Sequence, residues 1–236
     1  MPIKLRFLGG VRTVTGSSHL VSCGRSEVLL DAGLFHGHRD AFYAVNTAFR
    51  YNVRGLSAVV LSHAHIDHCG NIPGLIKQGL RCKVYTTSAT KDLSALMLED
   101  SGKVQEEDVK YVNKINRRLG LPLRAPLYTQ KEAAKATRIF RPIAYGQKFC
   151  VAKNIYATLH NAGHILGSAI IVLDIRDGEE NTRLGYAVDL GRKNLPLLDD
   201  PYVPRRLDYL ILESTYGDKV HAPIEEAQSQ IGRAHV

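Results

Sequence analysis

The sequence predicts an α/β protein in which two sheets pack as a sandwich with helices outside. Three observations predict it. Strand-patterned segments gather in two blocks, one before residue 90 and one after residue 147. A helix-patterned stretch separates the blocks, and strand, helix, strand order holds between residues 56 and 86, as α/β folds require.

Ile3-Lys4-Leu5-Arg6-Phe7-Leu8 alternates apolar and basic residues, the period of a half-buried strand, and Gly9-Gly10 ends it. A loop with Thr13-Val14-Thr15-Gly16-Ser17 follows. His19 to Cys23 and Glu27 to Asp31 read as strands joined by a turn at Gly24-Arg25. Asp31 to Gly37 is a glycine-rich exit, and Asp40 to Arg50 is a short helix. The apolar run Leu56 to Leu61 is a buried strand; Ile72, Leu75 and Ile76 have helical spacing; Lys83 to Thr86 is the next strand. Ser88 is the expected cap of a helix carrying Leu93, Leu96 and Met97. Val109, Val112, Ile115 and Leu119 line a second helix, and Thr129 to Glu132 has capping-box spacing for another running to about Phe140. Lys148 to Ala152, Ile155 to His160, Ser168 to Ile175 and Arg183 to Asp189 form the second strand block, with a turn at Asp177-Gly178.

The chemistry centres on His63-Ala64-His65-Ile66-Asp67-His68, directly after a buried strand. His63 and His65 are two apart, so in an extended segment both rings point to one side and can grip one ion. Asp67 and His68 fall where the chain turns toward Gly70, Asn71 and Pro73 and can face a neighbouring position. Imidazole nitrogen and carboxylate oxygen both suit zinc. Two distant segments are candidates for the remaining ligands. His164 sits in Gly163-His164-Ile165-Leu166-Gly167, whose glycines let the backbone approach an ion, and Asp189 ends the apolar run Tyr186-Ala187-Val188. His36 and His38 repeat the spacing without a carboxylate in register and read as loop residues, and Cys69 is redundant beside a complete cluster.

The H-x-H-x-D-H run resembles the signature of the metallo-β-lactamase superfamily. Ala162 to Ala169, Leu212-Glu213-Ser214-Thr215-Tyr216-Gly217, the opening Phe7 to Ser17 and Leu30 to Phe35 are similar to motifs of its β-CASP branch of RNA- and DNA-processing nucleases. The resemblance implies an αββα sandwich, incomplete at the C-terminus. It implies two Zn2+ ions, one held by His63, His65 and His164, the other by Asp67 and His68, with Asp189 bridging. Asp67 also positions the hydroxide, and Glu213 corresponds to the branch acid that supports a catalytic histidine supplied later in the chain. Residues 1–213 are then the N-terminal part of the lactamase domain and 214–230 the start of a truncated β-CASP domain. Residues 231–236 read as a non-native tail, so His235 is not promoted to the missing ligand.

Composition bounds the rest. The chain of 236 residues is long enough for a well-buried core, and no apolar run reaches the roughly 20 residues a membrane-spanning helix needs. Four cysteines show no disulfide spacing and no signal-peptide layout precedes the first strand, which points to the cytoplasm. A net charge of +8 suits a polyanion. The expected activity of the complete protein is that of a zinc-dependent endoribonuclease acting on single-stranded RNA through a metal-activated hydroxide, with this fragment expected to be incomplete for activity, homodimerisation open and no membrane partner. The alternatives are a hydrolase of small thioesters or lactones and a non-catalytic RNA-processing scaffold.

Overall fold

The computed structural model describes residues 2–220 and Glu226, with the side chains of Arg39 and Asp40 left aside. The expected tail at 231–236, His235 and most of the segment after Val220 lie outside the described residues. Strands β1 (Lys4–Gly9), β2 (Ser18–Cys23), β3 (Ser26–Leu30), β4 (Ala58–Val60), β5 (Val84–Thr86) and β6 (Phe140–Pro142) form one sheet in that order. The first three strands are antiparallel; β3 to β6 run parallel. The second sheet has the order β11 (Tyr209–Leu212), β10 (Glu180–Ala187), β9 (Ala169–Asp177), β8 (Ile155–Asn161), β7 (Lys148–Ala152), with only the β10/β11 pair parallel. Helices α1 (Arg39–Thr47), α2 (Ile66–Cys69), α3 (Ile72–Lys77), α4 (Ser88–Leu119) and α5 (Gln130–Ala136) connect the first sheet.

Side-chain alternation along a strand divides the interior into two cores. Leu20, Leu29, Val59 and Leu61 face Ile72, Leu75, Leu98 and Ala133 of the helices. Their neighbours Val21, Val28, Leu30, Ala58 and Val60 face Leu159, Ile171, Leu173 and Tyr186 of the second sheet. The first sheet is therefore buried on both sides, which explains why β4 is an unbroken apolar run. The outer face of the second sheet is covered in part by the segment 190–207. Leu190 packs with Ile170 and Ala187, and Tyr202 stacks on His160 with ring centroids 4.0 Å apart.

Several expectations need correction. The two helices expected after Thr86 are one, α4, capped by Thr87, whose side chain accepts the Thr90 N–H at 3.2 Å; Ser88 is already helical. The helix expected to reach Phe140 is α-helical to Ala136 and continues as a 3-10 turn from Thr137 to Ile139, ending there because Phe140 is buried in a parallel pair with Val84 and must be extended. β10 begins at Glu180 and ends at Ala187, so Asp189 lies two residues beyond the strand instead of closing it. The strand β11 was not expected; Tyr209, Leu210 and Leu212 are exposed, and no burial alternation marks it.

Candidate metal centre

The site forms where strands of both sheets end at one edge. β4 runs out through Leu61 and Ser62 into His63, and the Ser62 N–H is fixed on Asp31 Oδ1 at 2.7 Å at the end of the adjacent β3. His65 precedes the single helical turn α2, which holds Asp67 and His68. From the second sheet, β8 ends at Asn161 and delivers His164, while β10 delivers Asp189. The Gly191 N–H donates to Ala162 O at 2.9 Å, and a Cβ on Gly191 would lie 1.6 Å from Gly163 O. This backbone contact between the two loops brings Asp189 to His164.

Four donor atoms converge: one each from His63, His65, His164 and Asp189, all within 4.8 Å of one another. His65 Nδ1 is 3.1 Å from His63 Nε2 and 3.2 Å from His164 Nε2. Asp189 Oδ2 is 3.4 Å from His63 Nε2 and 3.2 Å from His164 Nε2. Four ligands placed tetrahedrally about 2.0–2.1 Å from a zinc ion stand about 3.3 Å from each other. One ring nitrogen carries at most one proton, so Nδ1 of His65 cannot satisfy both partners as a hydrogen bond. A shared cation can, and the donor set fits one.

Asp189 turns its other oxygen elsewhere. Oδ1 lies 3.3 Å from His68 Nε2, and Asp67 Oδ2 is 3.8 Å from that same nitrogen. Asp67 and Asp189 therefore both approach His68 Nε2, beside the four-donor group. Burial pushes the His63 imidazole down to about 4 and lowers His65 as well, which keeps both rings neutral as ligands must be. Burial also disfavours charge on His68, but hydrogen bonds to Asp189 and Asp31 outweigh it and raise the ring to about 10. Asp189 is held far below the usual carboxylate range: burial opposes this, and contacts with His164, His63 and His68 override it.

Other residues flagged in the sequence lie apart from this group or play other parts. His36 and His38 are exposed, with the His36 ring tilted against Phe42. Cys69 is buried, its thiol donating to Ala64 O at 3.3 Å and pushed up by burial. Glu213 is half-buried, and its Oε1 accepts the Leu190 N–H at 2.7 Å, next to Asp189. With Arg12, Ser17, His68 and Asp189 it lines a cleft of about 330 Å³. Sequence reasoning missed Asp31 as a site residue. It is fully buried, accepts His68 Nδ1–H at 2.7 Å and the Ser62 hydroxyl at 2.8 Å, and takes the Tyr186 hydroxyl at 3.0 Å. A carboxylate that fixes the far nitrogen of a ligand imidazole sets its tautomer and orientation. The available signal was a buried apolar run ending in a carboxylate, the same one that pointed to Asp189.

Two sheets packed as a sandwich bring imidazoles and carboxylates together at their strand ends, the layout of a metal-binding fold. The chain belongs to the metallo-β-lactamase superfamily, whose domain model matches residues 20–199. It is 35% identical over 218 residues to ribonuclease TTHA0252 of Thermus thermophilus, covering 92% of this chain and 45% of that protein. It is 37% identical over 235 residues to transcription termination factor FttA of Methanocaldococcus jannaschii, covering 98% of this chain and 34% of that one. The chain thus spans less than half the length of these relatives. A metallo-β-lactamase of Cronobacter sakazakii, the HARLDQ-motif mutant S60, superposes with a TM-score of 0.54 at 18% identity, over 96% of this chain and 80% of that one, and shares the fold. Among the described residues no helix is long and apolar enough to cross a membrane.

Proposed function

We propose that the chain carries the metal centre of a zinc-dependent endoribonuclease of the β-CASP branch that cleaves single-stranded RNA in the cytoplasm. The observation that carries the reading is Asp189, whose Oδ2 faces His63 and His164 while its Oδ1 faces His68, in a chain related to a ribonuclease. His63, His65 and His164 would hold one zinc, Asp67 and His68 the other, with Asp189 between them. When bound, such a pair supplies an acidified water as nucleophile and positive charge for the phosphoryl oxygens.

The chain's own groups do the rest. Asp67, about one-quarter exposed beside His68, accepts a proton from the attacking water and aims it. Arg12, exposed at the cleft, draws in the RNA phosphates, and the net charge of +8 makes binding weaken as salt rises. Glu213 holds the Leu190 N–H and so fixes the loop that presents Asp189. Support of a catalytic histidine by Glu213 belongs to the same reading.

Asp67→Ala in the metal-loaded chain should reduce cleavage of single-stranded RNA by about a thousandfold or more while RNA affinity changes less than about threefold. Equal loss of both would remove Asp67 from the chemistry. A parallel assay on a simple thioester separates this activity from small-molecule hydrolysis: turnover of the thioester with intact RNA would overturn the assignment.

A further inference from the structure

One phenol ties together the half of the centre that holds Asp67 and His68. Tyr186 is fully buried on β10, and its hydroxyl lies 3.0 Å from Asp31 Oδ2, 2.8 Å from Ser17 Oγ and 3.2 Å from His19 Nδ1. A phenol has a single proton to donate. The carboxylate is the strongest acceptor of the three, so Tyr186 donates to Asp31. The Ser17 hydroxyl and His19 Nδ1–H then donate into the phenol oxygen and fill its two lone pairs.

Both branches end on a ligand of the same position. Asp31 Oδ2 accepts His68 Nδ1–H at 2.7 Å. The Ser17 N–H donates to the Asp67 carbonyl at 2.9 Å. The other half of the centre is anchored less directly: the His164 N–H donates to Ser168 Oγ at 3.1 Å, and His63 Nδ1 meets Ser62 Oγ at 3.0 Å, one hydroxyl removed from Asp31, whose Oδ2 accepts the Ser62 hydroxyl at 2.8 Å.

We propose that Tyr186 is a positioning residue that sets how tightly the ion at Asp67 and His68 is held, without setting the affinity at His63, His65 and His164. The inference rests on the two-ion reading above. Tyr186→Phe removes a donor from Asp31 and leaves Ser17 and His19 without their acceptor, so the carboxylate that orients His68 is held only from the Ser62 side and positions the ring less tightly. Loss of such a supporting contact costs about tenfold to a hundredfold in metal affinity.

The test is a zinc titration of the full chain against a competing chelator, with bound metal counted by mass spectrometry under native conditions. The parent chain should take two ions. Y186F should keep the first with unchanged affinity and bind the second about tenfold to a hundredfold more weakly. Two ions at unchanged affinities in Y186F, or an equal fall at both, would overturn the inference. A count of one ion in the parent chain sinks the two-ion reading and this inference with it, whereas two ions held at the same affinities in both proteins sinks the inference alone. Should Y186F fail to fold, Ser17→Ala serves: it keeps the backbone N–H on Asp67, removes one donor to the phenol, and should weaken only the second ion. An unchanged second affinity there overturns the inference equally.

Discussion

At the scale of single residues, space around the ligands matters as much as the donor atoms. Gly33 follows β3, and a Cβ added there would lie 1.5 Å from the carbonyl oxygen of Asp67 and 2.7 Å from the Ser17 nitrogen. Backbone cannot yield over such a distance, because Ser17 N and Asp67 O are themselves bonded at 2.9 Å. Gly33→Ala is therefore expected to destabilise the chain by about 3 kcal/mol, at the upper end of overpacking costs, and to displace Asp67. Thermal unfolding measures the first effect and loss of bound metal the second. A Gly33→Ala protein with unchanged melting temperature and metal count would show that the segment 31–34 is looser than these contacts require.

At the scale of elements, the junction of α4 and α5 sets propensity against packing. Gly102 lies in mid-helix, where alanine would ordinarily gain about 1 kcal/mol. Its Cβ would meet Gln130 N at 2.7 Å and Gln130 Cα at 2.8 Å, main-chain atoms at the start of α5. The clash should win, and Gly102→Ala should lower stability by about 1–3 kcal/mol in denaturant unfolding. Beside it, Thr129 and Glu132 form a capping box, with Thr129 Oγ1 accepting the Glu132 N–H at 3.2 Å and Glu132 Oε2 the Thr129 N–H at 2.8 Å. Thr129→Ala should cost about 1 kcal/mol. Slight burial would raise the Glu132 carboxyl, but the Thr129 N–H and Lys77 together lower it. Its contribution is therefore present above the ordinary carboxylate pKa and is lost as pH falls through the lowered value. In Glu132→Gln the unfolding free energy should lose that acid-side slope.

The same elements show what the sequence reveals and where it stops. Thr129 and its box were legible because a cap is a local pattern, and His63 to His68 because the ligands are contiguous. The continuity of α4 was not: two helices were expected there, and the closeness of Gln130 supplies the reason for the mid-helix Gly102. Asp31, Ser17 and Tyr186 were hidden for a related cause. Their meeting depends on which strands pair and on which face of β10 meets the first sheet, and neither is written within a short window of residues.

At the scale of the whole molecule, the candidate centre is also a cross-link. His63, His65, Asp67 and His68 follow β4 of the first sheet, whereas His164 and Asp189 follow β8 and β10 of the second. An ion bridging them joins two sheets otherwise held by the shared core of Leu30, Val60, Leu159 and Ile171, and it binds only when both sheets are assembled. Metal binding is then coupled to global folding, and each ion stabilises by about 2.7 kcal/mol at a free concentration one hundred times its Kd. Removal of the metal by chelator should lower the melting temperature by several degrees, a shift expected of a domain this size. His164→Ala should melt below the metal-loaded parent, and chelation should lower its melting temperature much less, because the second sheet has lost one of its two ligands. If chelation shifts parent and variant alike, the ion stabilises the His63 to His68 loop alone, and the two sheets do not meet through the metal.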